Sequence, residues 1–152
     1  MGIHRAEQSI EIAASPEACF EAILDYETFP SWQSAVKSAE VLSKDAEGRA
    51  ERVAFRVDAK LREVGYTLSY SYEAPHRVSW DFVEGDGVEH VEGEYRFEAA
   101  GAATTATYVL GIDPGMPVPG FVVDRINRQV MWRSVGELRD EVEARVSRTR
   151  AG

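Results

Sequence analysis

The last third of the chain runs from a Pro/Gly hinge, Gly115-Met116-Pro117-Val118-Pro119-Gly120, into one amphipathic stretch from Phe121 to about Arg148. Nearly everything before it carries the two-residue periodicity of strands. That order constrains the fold more than any other feature. A long C-terminal helix with an apolar stripe has only the preceding sheet to pack against. A strongly curved antiparallel sheet closed by one helix leaves a hollow between them. The pattern therefore points to an internal pocket for an apolar molecule before any chemical motif is read.

The helical stripe consists of Val123, Ile126, Val130, Met131, Val135, Leu138, Val142 and Val146, with Arg125, Arg128, Arg133, Arg139 and Asp140 largely off it. Upstream, Ser9 to Ala13 alternates around Ile10 and Ile12 as a short strand. Ser15-Pro16-Glu17 then reads as a helix start, with a serine cap, proline at the first position and an early acid against the helix dipole. Phe20, Ile23 and Leu24 recur at helical spacing. Phe29-Pro30-Ser31-Trp32 ends that helix and allows a second short one near Phe29.

Six consecutive strands are expected next. They centre on Val36 to Ser43, Glu51 to Ala59, Val64 to Tyr72, Val78 to Phe82, Val91 to Phe97, and Ala106 to Ile112. Glu84-Gly85-Asp86-Gly87 is a hairpin signal. Short turns between successive strands imply an antiparallel meander. The expected fold class is α+β: a curved antiparallel sheet of about seven strands around a long C-terminal helix, with one or two short helices after the first strand.

A chain of 152 residues suits one domain with a sizeable core, and residues 1–152 are expected to form a single domain. A formal net charge of -9 argues against nucleic acid or an anionic membrane surface as the main partner, because both reward basic patches. The single cysteine, Cys19, allows no internal disulfide or Cys-based metal cluster and reads as a buried filler. No basic-plus-apolar leader opens the chain and no apolar run is long enough to span a bilayer. The expectation is a cytoplasmic protein without stable membrane insertion. The sequence sets no oligomeric state.

The ordered motifs resemble a known superfamily. Ile10-Glu11-Ile12-Ala13-Ala14-Ser15-Pro16-Glu17 is followed by Phe20, then by Asp25-Tyr26-Glu27-Thr28-Phe29-Pro30-Ser31-Trp32. Arg77-Val78-Ser79-Trp80 precedes Gly93-Glu94-Tyr95-Arg96-Phe97, and Pro117-Val118-Pro119 opens the long helix. This set resembles the START, birch-pollen-allergen and polyketide-cyclase superfamily (SRPBCC), whose fold is called the helix-grip. Within it the chain looks most like the actinobacterial cyclase/dehydrase-like group. Ile126-Asn127-Arg128 is similar to a segment at the same helix position in aromatic polyketide cyclases. Those enzymes are thought to work with interior Arg, Tyr and Trp side chains. Here the matching strand carries Tyr66, Tyr70 and Tyr72 and no arginine, with Arg62 nearby.

The best site candidate is an aromatic wall. Tyr66, Leu68, Tyr70, Tyr72, Phe55, Trp80, Tyr95 and Tyr108 lie on the apolar phase of their strands and should face the helix. Ile126 and Val130 meet them from the helix stripe. Phe29 and Trp32 either line the entrance or anchor the early helix to the sheet. Tyrosines add hydroxyls that need partners when buried, and a ligand carbonyl would supply one. Catalytic candidates are Tyr70, Arg125 and Arg133. No interior carboxylate pair, metal-ligand cluster, phosphate loop or Ser/His/Asp set is visible, so neither metal nor cofactor is expected.

The leading functional expectation is a binder of a lipid, isoprenoid, quinone or polyketide in an internal cavity. The alternative is a polyketide cyclase/dehydrase in which a tyrosine hydroxyl, helped by Arg125 or Arg133, polarises a carbonyl. A third is an interaction protein similar to the superfamily's ribosome-associated toxins.

Overall fold

The computed structural model describes residues 2–60 and 62–151. Strand β1 (His4–Ile12) leads into helix α1 (Pro16–Leu24), a single 3-10 turn (Tyr26–Thr28) and the one-turn helix α2 (Phe29–Trp32). Six strands follow: β2 (Val36–Lys44), β3 (Ala50–Asp58), β4 (Glu63–Glu73), β5 (Arg77–Asp86), β6 (His90–Ala100) and β7 (Ala103–Asp113). Helix α3 (Gly120–Ala151) closes the chain. The strands form one antiparallel sheet in the order β1-β7-β6-β5-β4-β3-β2. This is the antiparallel sheet closed by a long C-terminal helix that the sequence pattern predicts.

Local chemistry explains the elements near the N-terminus. The Ser15 hydroxyl accepts from the Ala18 amide at 3.2 Å, and Pro16 occupies the first turn, where its missing N–H is not needed. The backbone then turns through the 3-10 segment so that Phe29 and Trp32 leave α2 on the side facing the sheet. Register shifts interrupt β2 three times, and the β4–β5 ladder slips once beside Leu68. Such bulges bend strands and increase twist, which lets the sheet wrap around α3.

Three boundaries differ from the sequence pattern. Strand β1 begins at His4 rather than Ser9, because β7 pairs with it along its whole length, from Ile112 opposite His4 to Thr104 opposite Ile12. Ladder hydrogen bonds hold the polar run that hydropathy leaves out. Strand β5 continues through Gly85 and Asp86, which pair with Tyr66 and Gly65, so the reversal falls after it at Gly87, whose φ is +87°. Helix α3 continues past Arg148 to Ala151.

The apolar stripe of α3 faces inward. Val123, Met131, Val135, Leu138 and Val142 are buried, and all but Val123 join Ile12, Cys19, Phe20, Val78 and Phe97 in one core. Two polar links fix α3 along β1. The Asp124 carboxylate meets the His4 ring at 2.9 Å, and the Glu143 carboxylate accepts from the Ala13 amide at 2.9 Å. Among the described residues, no helix is long and apolar enough to cross a membrane.

Candidate ligand cavity

The packing under α3 is uneven along its length. Its C-terminal half is seated in the core, whereas Val123, Ile126, Asn127, Val130 and Ser134 line a cavity of about 190 Å³. The opposite wall comes from the inward phase of the sheet: Phe55 on β3, Tyr66, Leu68 and Tyr70 on β4, Trp80 on β5, Tyr95 on β6, and Tyr108 and Leu110 on β7. Strict alternation puts these side chains on one face, so the wall is a direct consequence of period two.

The wall is a continuous chain of rings. Tyr26 lies 4.5 Å from Tyr70 between centroids, Tyr70 lies 6.0 Å from Trp80, and Trp80 lies 5.8 Å from Tyr108. Tyr95 and Tyr108 stack at 4.5 Å with an interplanar angle of 10°. Trp80 fits against the sheet because its partner across the ladder is Gly93; a Cβ there would approach the indole to 2.8 Å.

Burial pushes every tyrosine hydroxyl in this wall up. Tyr66 and Tyr108 lie far above the ordinary phenol value, and Tyr70 and Tyr95 are raised further by neighbouring phenols. They are therefore neutral hydrogen-bond donors at pH 7. Tyr26 and Tyr72 are already committed. The Tyr72 hydroxyl donates to the Ala50 carbonyl at 2.6 Å, so its oxygen receives the Tyr26 proton at 2.9 Å.

The helix side contributes polar groups of its own. The Gln33 amide donates to the Ser134 carbonyl at 3.3 Å, and the Glu137 carboxylate accepts from the Ser34 amide at 3.1 Å, which clips the α2 exit to α3. Asn127 is only 2% exposed, and its Nδ2 has no hydrogen-bond partner among the described residues.

The mouth lies where the sheet splays. Beyond Trp80, β5 pairs only with β4, while His90, Val91 and Glu92 pair only with β7. Asp58, Ala59, Arg62, Gly87, Val88, Pro114 and Met116 border this end. The exposed Arg62 guanidinium donates to the Gly87 carbonyl at 2.7 Å and the Pro114 carbonyl at 3.4 Å, tying two rim segments together. Asp58 and Arg62 are the charged side chains of the lining.

Of the residues singled out from sequence, Phe29, Phe55, Tyr66, Leu68, Tyr70, Trp80, Tyr95, Tyr108, Ile126 and Val130 line the cavity. Trp32 and Tyr72 stand outside it. The Trp32 indole donates to the Thr28 hydroxyl at 3.1 Å and packs on Phe29 at 5.0 Å, so Phe29 faces the cavity and Trp32 anchors the helix behind it. Tyr72 sits at the closed end, where it bridges Tyr26 and Ala50. Arg125 and Arg133 are corrected: both are exposed on the outer face of α3, off the inward stripe, and neither reaches the cavity. Tyr70 alone of the three catalytic candidates is inside.

Sequence reasoning did not place Tyr26, Gln33, Asn127 and Ser134 in the lining, although Tyr26 and Asn127 fall in segments quoted for the family resemblance; all four line the cavity. A signal existed for two of them. Asn127 and Ser134 fall at helical spacing from Val123 and Val130, within the apolar face, where a polar residue is out of place. Among the described residues no group of three or more His, Cys, Asp or Glu is placed to hold a metal ion.

The fold matches solved structures along nearly its whole length. A START superfamily protein from Mycobacterium smegmatis superposes with a TM-score of 0.86 at 22% identity, covering 93% of this chain and 98% of the other. The Zhui aromatase/cyclase from Streptomyces sp. R1128 gives 0.79 at 16% identity, covering 95% and 96%. A STAR-related lipid transfer protein fragment from Xanthomonas axonopodis gives 0.70 at 14% identity, covering 91% and 85%. At these identities the likeness is one of fold. No curated protein matches the sequence. Residues 4–143 match the polyketide cyclase/dehydrase and lipid transport family, to which the chain belongs.

Proposed function

We propose that this protein binds a hydrophobic or amphipathic small molecule in the cavity between the sheet and α3, as a carrier or sequestering protein. The observation that carries this reading is the character of the lining. It is aromatic and aliphatic, the polar groups of its sheet wall are tyrosines held neutral by burial, and those of its helix side (Gln33, Asn127, Ser134) carry no charge. Proton-transfer catalysis is most efficient with a group that titrates near the working pH. The deep wall supplies none, because phenols pushed upward neither lose protons at pH 7 nor serve as bases. A site of this kind rewards shape and apolar area.

The experiment is native mass spectrometry of freshly purified protein with solvent extraction of any adduct, followed by thermal shifts across lipids, isoprenoids, quinones and polyketides. A ligand at 100 times its Kd stabilises by about 2.7 kcal/mol. For a chain of this size that is about 5–10 °C in Tm. A protein that carries no adduct and is stabilised by no member of the panel sinks the reading.

A second reading is cyclase/dehydrase chemistry, which the family description includes. One feature favours it: Asp58 and Arg62 place a carboxylate and a guanidinium at the rim of the cavity. Loss of water from a poly-β-ketone mimic on incubation with the protein, abolished in Asp58→Asn, would support it over simple binding.

A further inference from the structure

Helix α3 buries one apolar stripe and shows a second, mixed one to solvent. Phe121, 75% exposed, and Trp132, 61% exposed, are the most exposed large apolar side chains among the described residues. Their spacing of 11 residues is three turns of an α-helix, so both stand on one side of α3, about 16 Å apart along its axis. Arg125 and Arg128 lie between them on that side and Arg133 flanks it; all three are exposed. Farther along the helix, Arg139, Arg145 and Arg148 are each paired with an acid. Among the described residues, Arg125, Arg128 and Arg133 are paired with none. From Phe121 to Val135 the helix holds a single acid, Asp124, and the His4 ring engages it at 2.9 Å. Either ring alone would need no explanation. Two on one face with three unpaired cations are a pattern, and one out of keeping with a chain of net charge -9.

This face begins at the cavity mouth. Pro114 and Met116 border the opening, Pro117 and Pro119 beyond them are exposed, and Phe121 follows in the first turn of α3. Two residues later Val123 lines the cavity from within. The lip of the mouth and the exposed stripe are therefore one continuous surface.

Charge and shape select what it meets. Unpaired arginines call for an anionic surface. A lone helix is convex and offers no groove, so rings that project from it need a soft surface that closes round them. A bilayer interface does this: tryptophan settles at headgroup level, and arginines near anionic lipids strengthen attachment about fivefold each. A folded acidic partner would need pockets shaped to both rings. The negative charge elsewhere on the protein opposes the contact, but salt screens it beyond roughly 8 Å.

We propose that the Phe121–Trp132 face of α3 docks the protein reversibly on an anionic lipid surface, with the cavity mouth turned to the bilayer. Docking stands on this face alone. Its use, exchange of cargo between cavity and bilayer, rests on the binding reading above.

The test is flotation of the intact protein with phosphatidylcholine vesicles, with and without about one-third phosphatidylserine, and no added cavity ligand. The protein should float with the anionic vesicles, stay behind with the neutral ones, and be released at about 0.5 M salt. Arg125→Gln with Arg128→Gln should lower partition about 25-fold. Trp132→Tyr should abolish a blue shift of tryptophan emission on the anionic vesicles. These positions are exposed, and unchanged urea unfolding checks that each variant is folded. The proposal is overturned if the wild type does not float, if neutral vesicles bind equally, or if the variants partition like the wild type. Retention on immobilised polyglutamate without vesicle binding assigns the face to an acidic protein and overturns it too. Each of these outcomes leaves the cavity reading intact, and a failed ligand panel leaves docking intact.

Discussion

The closed end of the cavity rests on a hydrogen-bond relay whose direction can be tested. Tyr26 is 1% exposed and its hydroxyl lies 2.9 Å from that of Tyr72. Tyr72 has one proton and donates it to the Ala50 carbonyl at 2.6 Å. Tyr26 must then be the donor to Tyr72. The two deletions are therefore unequal. Tyr26→Phe removes a donor and leaves Tyr72 still bonded to Ala50, a loss of about 0.5–1.5 kcal/mol. Tyr72→Phe removes both bonds and strands the Tyr26 hydroxyl in a buried site, which adds about 1–3 kcal/mol of unmet desolvation. In the Tyr72→Phe background, replacing Tyr26 by Phe removes the stranded group and should restore about 1 kcal/mol or more. The expected outcome is a change of sign: Tyr26→Phe destabilises the wild type and stabilises the Tyr72→Phe protein. Urea unfolding of the four proteins gives the coupling, at about 2–4 °C of Tm per kcal/mol as a cross-check. Additive effects, or a larger cost for Tyr26→Phe than for Tyr72→Phe, would refute the assigned direction.

Three further outcomes follow from the same structure. All six tyrosines have raised values, Tyr72 to about 12, so the native state holds their protons more tightly than the unfolded chain. The stability they contribute is whole below about pH 10 and is lost as pH rises through the folded values. Tyrosinate absorbance should therefore appear together with loss of the far-ultraviolet dichroism; a tyrosinate step near pH 10 in folded protein would contradict the burial. Gly93→Ala would drive a methyl group into the Val109 carbonyl and the Trp80 ring, and should cost about 1–3 kcal/mol in urea unfolding; an unchanged midpoint would show that the sheet yields there. Arg62→Ala cuts the links to the Gly87 and Pro114 carbonyls. In stopped-flow measurements it should speed ligand release severalfold while unfolding free energy changes by less than about 1 kcal/mol, as expected of an exposed side chain; an unaltered release rate would exclude Arg62 as a latch.

Much of this architecture can be read from one-dimensional patterns because its periodicities are clean. Tyr66, Leu68 and Tyr70 keep strict alternation, so their common face needs no knowledge of the partner strands. The stripe from Val123 to Val146 and the Ser15-Pro16 start are equally local. Local signals alone therefore determine the element types, the α+β order and the identity of most of the aromatic wall.

Tertiary structure decided what depends on distance between elements. Whether an aromatic ring faces a void or a neighbour is set by how far α3 stands from the sheet, and this separates Phe29 from Trp32 and Tyr70 from Tyr72. The rotation of α3 about its axis turned Asn127 and Ser134 inward and Arg125 and Arg133 outward. Arg62 ties two rim segments together only because the Gly87 and Pro114 carbonyls, remote in sequence, converge there. The physical reason is that hydropathy periodicity reports which face of an element is buried. The contents of that buried space, and which polar groups within it stay unpaired, are fixed by the packing of elements that no local window contains.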